Sequence, residues 1–227
     1  MSGTLPPGAR RPAGARHGVI RDLGPVHVRL TGRPDTVAVR LSFPDNAVVV
    51  VAGLPGAGKS TLIRRVVDRS AVEVVDTDDQ RRDGGRASYV RHYGRILAAV
   101  RGSRPVVIHS RGTVGTLRRA IALVAALHGK PAHLILLDAS WEDAEDGQRR
   151  RGRGVSRARM DRELRRWRRL RARRARREGW ASVTVLDRPT AAVAEPLQWK
   201  ATYTPGTTGF DVVGSWGWSR VEVPEAS

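Results

Sequence analysis

The sequence predicts an α/β fold: a doubly wound, parallel β-sheet of five strands with helices on both faces, preceded by a β-hairpin. Three observations predict it. From residue 47 onwards, short continuous apolar runs alternate with segments of helical periodicity, as buried parallel strands and their crossover helices do. The first run leads directly into a glycine-rich loop and then an amphipathic segment. The 227 residues provide for one sizeable domain with additions at both ends.

The residues before the main domain divide into two segments. Residues 1–18 are rich in proline, glycine and arginine and have almost no large apolar side chains, which predicts a disordered tail. Residues 19–45 are predicted to form the N-terminal β-hairpin, because alternating segments at 26–30 and 37–41 flank turn residues at 32–35.

The main domain is expected at 46–190. Apolar residues at helical spacing occur at 89–100 and at 117–127, and Gly129 and Pro131 stop the second of these helices. The five strand candidates are the apolar runs at 47–52, 72–75, 106–108, 133–137 and 183–186.

An arginine-rich segment at 154–178 follows the fourth strand. Met160, Leu164 and Trp167 recur in it at helical spacing, which predicts an amphipathic helix with a very basic outer face. With the helix before it, this segment spans about 141–178. The C-terminal tail, 191–227, holds three of the six tryptophans, and we expect it to pack back onto the domain because exposed tryptophan is costly.

The composition restricts environment and partners. The chain has no cysteine, which excludes disulfides and thiolate metal sites. No apolar run approaches ~18 residues, so we expect no membrane span and a cytoplasmic location. The formal charge of +19 favours an anionic partner such as nucleic acid, but lysine occurs at just three positions, and GC-rich coding could also produce such an arginine excess. Nucleic-acid binding therefore stays open, and the oligomeric state cannot be read.

The glycine-rich loop has the spacing G-x-x-x-x-G-K-S, with a strand before it and a helix after it. In such a loop, glycines let backbone N–H groups surround phosphates, and the helix N-terminus adds partial positive charge. The motif predicts a P-loop NTPase that binds ATP with Mg²⁺: Lys59 reaches the β- and γ-phosphates, Ser60 ligates Mg²⁺ and Thr61 contacts the α-phosphate. The nucleotide-binding residues are Gly53, Leu54, Pro55, Gly56, Ala57, Gly58, Lys59, Ser60 and Thr61.

The loop and the acidic segment VVDTDDQR at 74–81, which follows the second strand, resemble P-loop kinases that phosphorylate hydroxyl groups. These kinases include polynucleotide 5′-hydroxyl kinases, zeta toxins, gluconate kinases and chloramphenicol phosphotransferases, and the resemblance spans about 47–188. It implies that Asp78 accepts or orients the proton of the acceptor hydroxyl, and that Arg81 helps to hold the acceptor. Asp76 and Asp79 are rivals for the first role, and a helix cap is the alternative for Asp78 and Asp79.

The same resemblance implies that the segment at about 141–178 forms a lid over the phosphate loop. The fourth strand at 134–138 leads into a helix at 141–151 that delivers a run of arginines. In these kinases, lid guanidinium groups meet phosphate oxygens and stabilise the charge that develops during transfer. The resemblance implies this role for Arg149 and Arg153, while a solvated basic face is the alternative for each.

One place departs from the kinase pattern. After the third strand these kinases often carry an acidic residue that helps to hold the water shell of Mg²⁺, but here the strand ends on His109. Either Asp76 supplies the carboxylate, or Ser60, the phosphates and water hold the ion. We expect His109 to be structural, and Arg111 to contact the acceptor together with Arg81 and Asp76.

Two functions therefore remain. The favoured one is an ATP-dependent kinase that transfers the γ-phosphate to a hydroxyl acceptor, which is either a small molecule or a polynucleotide 5′-hydroxyl. The alternative is a nucleotide-dependent nucleic-acid-binding or regulatory module without kinase chemistry, in which the basic helix at 154–178 contacts the phosphate backbone.

Overall fold

The computed structural model of the chain describes residues 26–30, 38–76, 86–150, 156–170, 177–200 and 210–213. The predicted tail at 1–18 lies outside these residues. The strands are β1 Val26–Leu30, β2 Ala38–Pro44, β3 Val48–Gly53, β4 Glu73–Asp76, β5 Val106–His109, β6 Ala132–Asp138, β7 Ser182–Asp187, β8 Gln198–Lys200 and β9 Phe210–Val213. The helices are α1 Lys59–Val66, α2 Arg86–Arg101, α3 Gly115–Leu127, α4 Trp141–Arg149, α5 Arg157–Arg169 and α6 Arg188–Ala192.

The main sheet has six parallel strands in the order β1-β7-β6-β3-β5-β4. Each of the five predicted strands is present within one residue of its predicted bounds, so the parallel doubly wound sheet is confirmed. Every residue of β3 is buried, because this strand lies inside the sheet with helices over both faces. The chain goes from β3 to one side for β4 and β5 and to the other for β6 and β7, which makes the carboxyl end of β3 the switch point of the sheet.

The predicted N-terminal hairpin is wrong. The strand β1 joins the edge of the main sheet as its sixth strand, in parallel register with β7. The strand β2 belongs to a separate three-stranded sheet, where it pairs with β8 in parallel and with β9 in antiparallel orientation. Alternating apolar residues identified both strands, but alternation does not specify which strand each will pair with. The edge of β7 has unpaired backbone N–H and C=O groups, and β1 pairs with these instead of with β2.

Part of the C-terminal segment packs against the domain through this small sheet. The strands β8 and β9 both pair with β2, and the ring of Trp199 lies 5.9 Å from the ring of Phe43. The other two tail tryptophans, Trp216 and Trp218, lie outside the described residues.

Two apolar layers cover the main sheet, because successive side chains of a strand point to opposite faces. Val49 and Val51 pack in the layer that contains α1, α5, α6 and the strand β2. Val48 and Val50 pack in the layer that contains α2 and α3. Helices therefore lie on both faces, as predicted.

The arginine-rich segment is helical at Arg157–Arg169, and Met160, Leu164 and Trp167 pack against the core as their spacing predicted. Residues 171–176 of the predicted helix lie outside the described residues. Among the helices that the structure describes, none has the length and apolar character needed to cross a membrane.

Candidate nucleotide-binding site

The predicted phosphate loop connects the carboxyl end of β3 to the start of α1, at the switch point of the sheet. Gly56 and Gly58 have φ values of 87° and 96°, in the left-handed region that favours glycine. The first turn of α1 has no acidic residue, and its N-cap makes no side-chain hydrogen bond. The N–H groups of this helix end therefore face the loop without a side-chain cap, an arrangement that suits an anion.

Lys59 is the buried cation of the loop. Its side chain is 6% exposed, and Nζ donates hydrogen bonds to the carbonyl oxygens of Gly53 and Leu54, each at 2.9 Å. A buried ammonium is stable only when polar groups solvate it, and here the loop backbone does so. Ser60 follows Lys59 at the helix start and is half-buried, while Thr61 is exposed.

The helix α4 packs directly onto the loop, a contact that the sequence did not predict. A Cβ on Gly56 would lie 1.9 Å from the carbonyl oxygen of Ala144, and a Cβ on Gly147 would lie 2.2 Å from the carbonyl oxygen of Gly56. The two backbones approach this closely because both positions are glycine. Two small residues three positions apart, Ala144 and Gly147, were the only signal in the sequence.

The start of α4 is fixed by polar contacts. The Ser140 side chain caps the helix by accepting a hydrogen bond from the Asp143 N–H at 3.0 Å. Arg188, at the start of α6, donates to the Asp143 carboxylate at 2.8 Å. Burial acts to raise the pKa of Asp143, but the hydrogen bonds from Arg188 and Ser140 outweigh it and hold this pKa below its ordinary value. The helix that contacts the loop is thus tied to the carboxyl end of β7.

Of the two predicted lid arginines, Arg149 lies in the part of the chain that the structure describes. Arg149 is 69% exposed and pairs with Glu145 at 3.1 Å and with Asp146 at 3.7 Å, both on its own helix. Its guanidinium is therefore engaged by acidic residues of α4, and its predicted role as a phosphate ligand stays a prediction. Arg153 lies outside the described residues.

The acidic segment after β4 is described only at its first member. Asp76 ends β4, and its Oδ1 lies 2.6 Å from Nδ1 of His109 at the end of β5. Asp78, Asp79 and Arg81 lie outside the described residues, so their predicted roles stay predictions. His109 is buried, as expected for a structural residue, but its carboxylate partner was not foreseen.

Arg111 lies in the loop between β5 and α3. Its carbonyl oxygen accepts a hydrogen bond from the Gly53 N–H at 3.3 Å, which ties this loop to the phosphate loop. Its guanidinium lies 3.5 Å from Glu163 of α5, whose side chain is 5% exposed and also accepts a hydrogen bond from the Thr113 hydroxyl. Glu163 therefore anchors α5 on the carboxyl edge of the sheet.

A second buried ion pair supports the start of α3. Arg118 Nε and Nη2 donate to the two oxygens of Glu178 at 2.8 and 2.6 Å, and both side chains are at most 4% exposed. Arg118 also donates to the carbonyl oxygen of Gly112, and the indole N–H of Trp180 donates to Glu178 at 3.3 Å. The guanidinium of Arg118 and the carboxylate of Glu178 neutralise each other. Through the Gly112 carbonyl the pair also supports the loop that carries Arg111.

A glycine-rich loop with a buried lysine, placed between a central parallel strand and a helix, defines a P-loop NTPase. Residues 48–178 match the profile of the AAA domain family AAA_33, and the chain belongs to that family. The predicted P-loop class is therefore confirmed. A comparison with curated proteins finds no match.

Several solved structures are similar to part of the chain. A gluconokinase from Sinorhizobium meliloti is 17% identical, with 66% of this chain and 89% of that chain covered and a TM-score of 0.47. Kti12 from Chaetomium thermophilum, in complex with ADP-AlF3, is 17% identical, with 64% and 94% covered and a TM-score of 0.45. The PezAT toxin–antitoxin system of Streptococcus pneumoniae is 14% identical, with a TM-score of 0.37, and the match covers 50% of this chain and 55% of that one.

Proposed function

We propose that the protein is an ATP-dependent kinase that transfers the γ-phosphate to a hydroxyl acceptor. The observation that carries this proposal is the phosphate loop itself, in which buried Lys59 lies at the switch point of the sheet. A partly exposed carboxylate, Asp76, ends β4 at the same edge. A phosphate cradle and a carboxylate at the same edge of the sheet are the two groups that phosphoryl transfer to an alcohol requires.

The residues present suit Mg²⁺ as the partner of ATP. Ser60 offers a hydroxyl at the start of α1 and Asp76 a carboxylate at the edge of the sheet, and oxygen donors are what this hard cation takes. Bound beside the phosphates, the ion would neutralise charge on their oxygens. Lys59 and the loop N–H groups would hold the same phosphates from the protein side.

The proposed transfer uses one acidic residue of the segment after β4. The acceptor oxygen attacks the γ-phosphorus, its bond to phosphorus forms as the bond to the ADP oxygen breaks, and the hydroxyl proton passes to a carboxylate. Asp78 is our choice for that carboxylate. Arg81 and Arg111 would hold the acceptor, and Arg149 and Arg153 would meet the transferring phosphoryl group once Arg149 leaves its exposed ion pairs, which are worth about 1 kcal/mol or less.

The proposal is tested with γ-labelled ATP and a panel of 5′-hydroxyl oligonucleotides, nucleosides, sugars and aminoglycosides. Label on one acceptor class identifies the substrate. Asp76→Asn, Asp78→Asn and Asp79→Asn are compared in the same assay, and we expect Asp78→Asn to abolish transfer while ATP binding persists. If Asp78→Asn transfers phosphate at the wild-type rate, Asp78 is not the base. If no acceptor becomes labelled, the protein is not a kinase for these acceptor classes and the proposed function is wrong.

A second candidate function is nucleic-acid binding without transfer, and the helix α5 favours it. Arg162, Arg165 and Arg168 are exposed, and in the part of the chain that the structure describes they have no ionic partner. Such a face attracts a phosphate backbone. Electrophoretic mobility shifts of labelled DNA and RNA that strengthen with ATP, with no phosphate transferred to any acceptor, would support this candidate over the kinase.

A further inference from the structure

Asp76 and His109 are in contact at the carboxyl edge of the main sheet. They end the neighbouring strands β4 and β5, they are register partners, and Nδ1 of His109 lies 2.6 Å from Oδ1 of Asp76. The imidazole is 4% exposed, whereas the carboxylate is 21% exposed. A buried ring therefore holds a carboxylate that still reaches solvent.

Strand alternation places this contact on the side of the sheet that α1 covers. Val74 and Val107, each two residues before the contact on its own strand, pack in the apolar layer that contains α1. Side chains two residues apart share a face, so Asp76 and His109 point towards that side as well. The first turn of α1 contributes Ser60 to the phosphate loop.

The direction of the hydrogen bond follows from the chemistry of the two groups. An ionised carboxylate only accepts, so the 2.6 Å contact places a proton on Nδ1 of His109. Such a bond fixes the rotation of the carboxylate. The charge of Asp76 also acts on His92 of α2: burial lowers the pKa of His92 most, Arg95 lowers it further, and Asp76 acts to raise it.

We propose that His109 is a positioning residue that holds Asp76 towards the Mg²⁺ and the acceptor hydroxyl beside the phosphate loop. The strand β5 ends on a histidine rather than on an acid, and the pair supplies a fixed carboxylate from the neighbouring strand instead. The inference rests on the proposed function, because it gives Asp76 a task in the same transfer. His109 itself takes no proton from the acceptor.

Two substitutions at His109 separate positioning from packing. In His109→Asn the amide nitrogen replaces Nδ1 and can donate to Asp76, whereas His109→Leu fills the space without a donor. We expect His109→Leu to raise the Mg²⁺ concentration needed for tight nucleotide binding by about tenfold, and His109→Asn to restore most of that loss. A fluorescent ATP analogue titrated at several Mg²⁺ concentrations measures both, and thermal unfolding without Mg²⁺ shows that the variants are folded.

A double-mutant cycle tests whether His109 acts through Asp76. If it does, the double variant Asp76→Asn/His109→Leu needs no higher Mg²⁺ concentration for tight nucleotide binding than Asp76→Asn alone. Additive losses would overturn the inference. So would a folded His109→Leu with wild-type Mg²⁺ dependence, or a His109→Asn that is as impaired as His109→Leu.

NMR of the imidazole nitrogens gives a readout that needs no nucleotide. We expect a protected Nδ1–H on His109 that disappears in Asp76→Ala, while His133 is unchanged. His133 is a matched control, because it is buried, its Nδ1 lies 2.8 Å from the Ser182 hydroxyl, and burial lowers its pKa to about 4. A His109 ring protonated on Nε2 alone would refute the inference.

The outcomes for the two proposals differ. If wild-type protein transfers phosphate and His109→Leu changes neither Mg²⁺ dependence nor the ratio of kcat to KM, only the inference fails. If wild-type protein binds nucleotide but transfers phosphate to no acceptor, the proposed function fails, and the Mg²⁺ titrations still decide the role of His109. If it binds no nucleotide, both proposals fail, whatever the NMR spectra show.

Discussion

Helix α4 ends on arginine and helix α5 is rich in arginine, and both lie at the carboxyl edge of the sheet, yet they are held there by different means. The helix α4 contacts the phosphate loop through backbone, at Gly147 and Ala144. The helix α5 is anchored through a buried side chain, Glu163, which contacts Arg111 and Thr113. The contact of α4 with the loop depends on glycines that have no side chain, whereas the contact of α5 depends on the charged side chain of Glu163.

The arginines of the two helices differ in whether they have acidic partners. At the C-terminal end of α4, Arg149 and the capping residue Arg150 pair with acidic residues three or four positions earlier, which neutralises the exposed face. In α5, Glu163 is turned inward and pairs with Arg166, whereas the exposed Arg162, Arg165 and Arg168 have no ionic partner within the described ranges. The electrostatic field of each helix therefore depends on where its acidic residues lie as well as on how many arginines it has.

The largest effect is expected where α4 meets the loop. In Gly147→Ala the new Cβ would lie 2.2 Å from the carbonyl oxygen of Gly56, so the helix or the loop must move. We expect a loss of about 1–3 kcal/mol in the free energy of unfolding and weaker ATP binding by calorimetry. The matched control is Gly94→Ala in α2, where a Cβ meets nothing within 4 Å and the helix should gain about 0.5–1 kcal/mol. Equal behaviour of the two variants would contradict the close contact.

A smaller effect is expected at the anchor of α5. Glu163→Leu removes the acceptor of Thr113 and the partner of Arg111, and we expect about 2 kcal/mol less stability in denaturant titrations, because buried polar groups lose their partners. Limited proteolysis should then cut near α5 sooner than in wild type. Glu145→Gln, which removes an exposed acid of α4, should change stability by about 0.5 kcal/mol or less. If Glu163→Leu were equally mild, Glu163 would not be an anchor.

The smallest effect on stability, with a specific effect on binding, is expected for the exposed arginines. Replacing Arg162, Arg165 and Arg168 with glutamine should reduce the salt dependence of single-stranded oligonucleotide binding, with a slope lower by about 2. Replacing Arg149 and Arg150 with glutamine should leave that slope nearly unchanged, since their charges are already paired. Fluorescence anisotropy at several salt concentrations measures both. Equal slopes for the two variants would remove the distinction between the helices.

The sequence was sufficient where local pattern determines structure. The five strands, the loop at Gly53 to Thr61 and the buried stripe of α5 all follow from periodicity and from the conformational needs of glycine. It was insufficient where a partner comes from a distant segment. Apolar alternation identified β1 and β2 but not that β1 pairs with β7.

In the candidate site, too, the sequence predicts what local pattern determines and misses contacts between distant segments. Lys59 begins α1 and its side chain lies against the loop, an arrangement that the local spacing of the motif sets, while its predicted contact with phosphate stays a prediction. The contact of Gly56 with α4 and the pair of Asp76 with His109 bring together residues from separate elements, and no local signal specifies them. Polar residues at the ends of adjacent parallel strands were the available hint, since the carboxyl ends of parallel strands meet at one edge.

Nucleotide binding at the loop is the central claim, and calorimetric titration of ATP with Mg²⁺ into wild type, Lys59→Ala and Lys130→Ala tests it most directly. Lys130 is the matched control, because it is 8% exposed and its Nζ donates to a backbone carbonyl, that of Arg104, which precedes β5. We predict saturable binding to wild type, a loss of about tenfold or more in Lys59→Ala because charge-assisted hydrogen bonds to phosphate are removed, and wild-type affinity in Lys130→Ala. Absence of binding to wild type, or equal affinity of wild type and Lys59→Ala, would contradict the account.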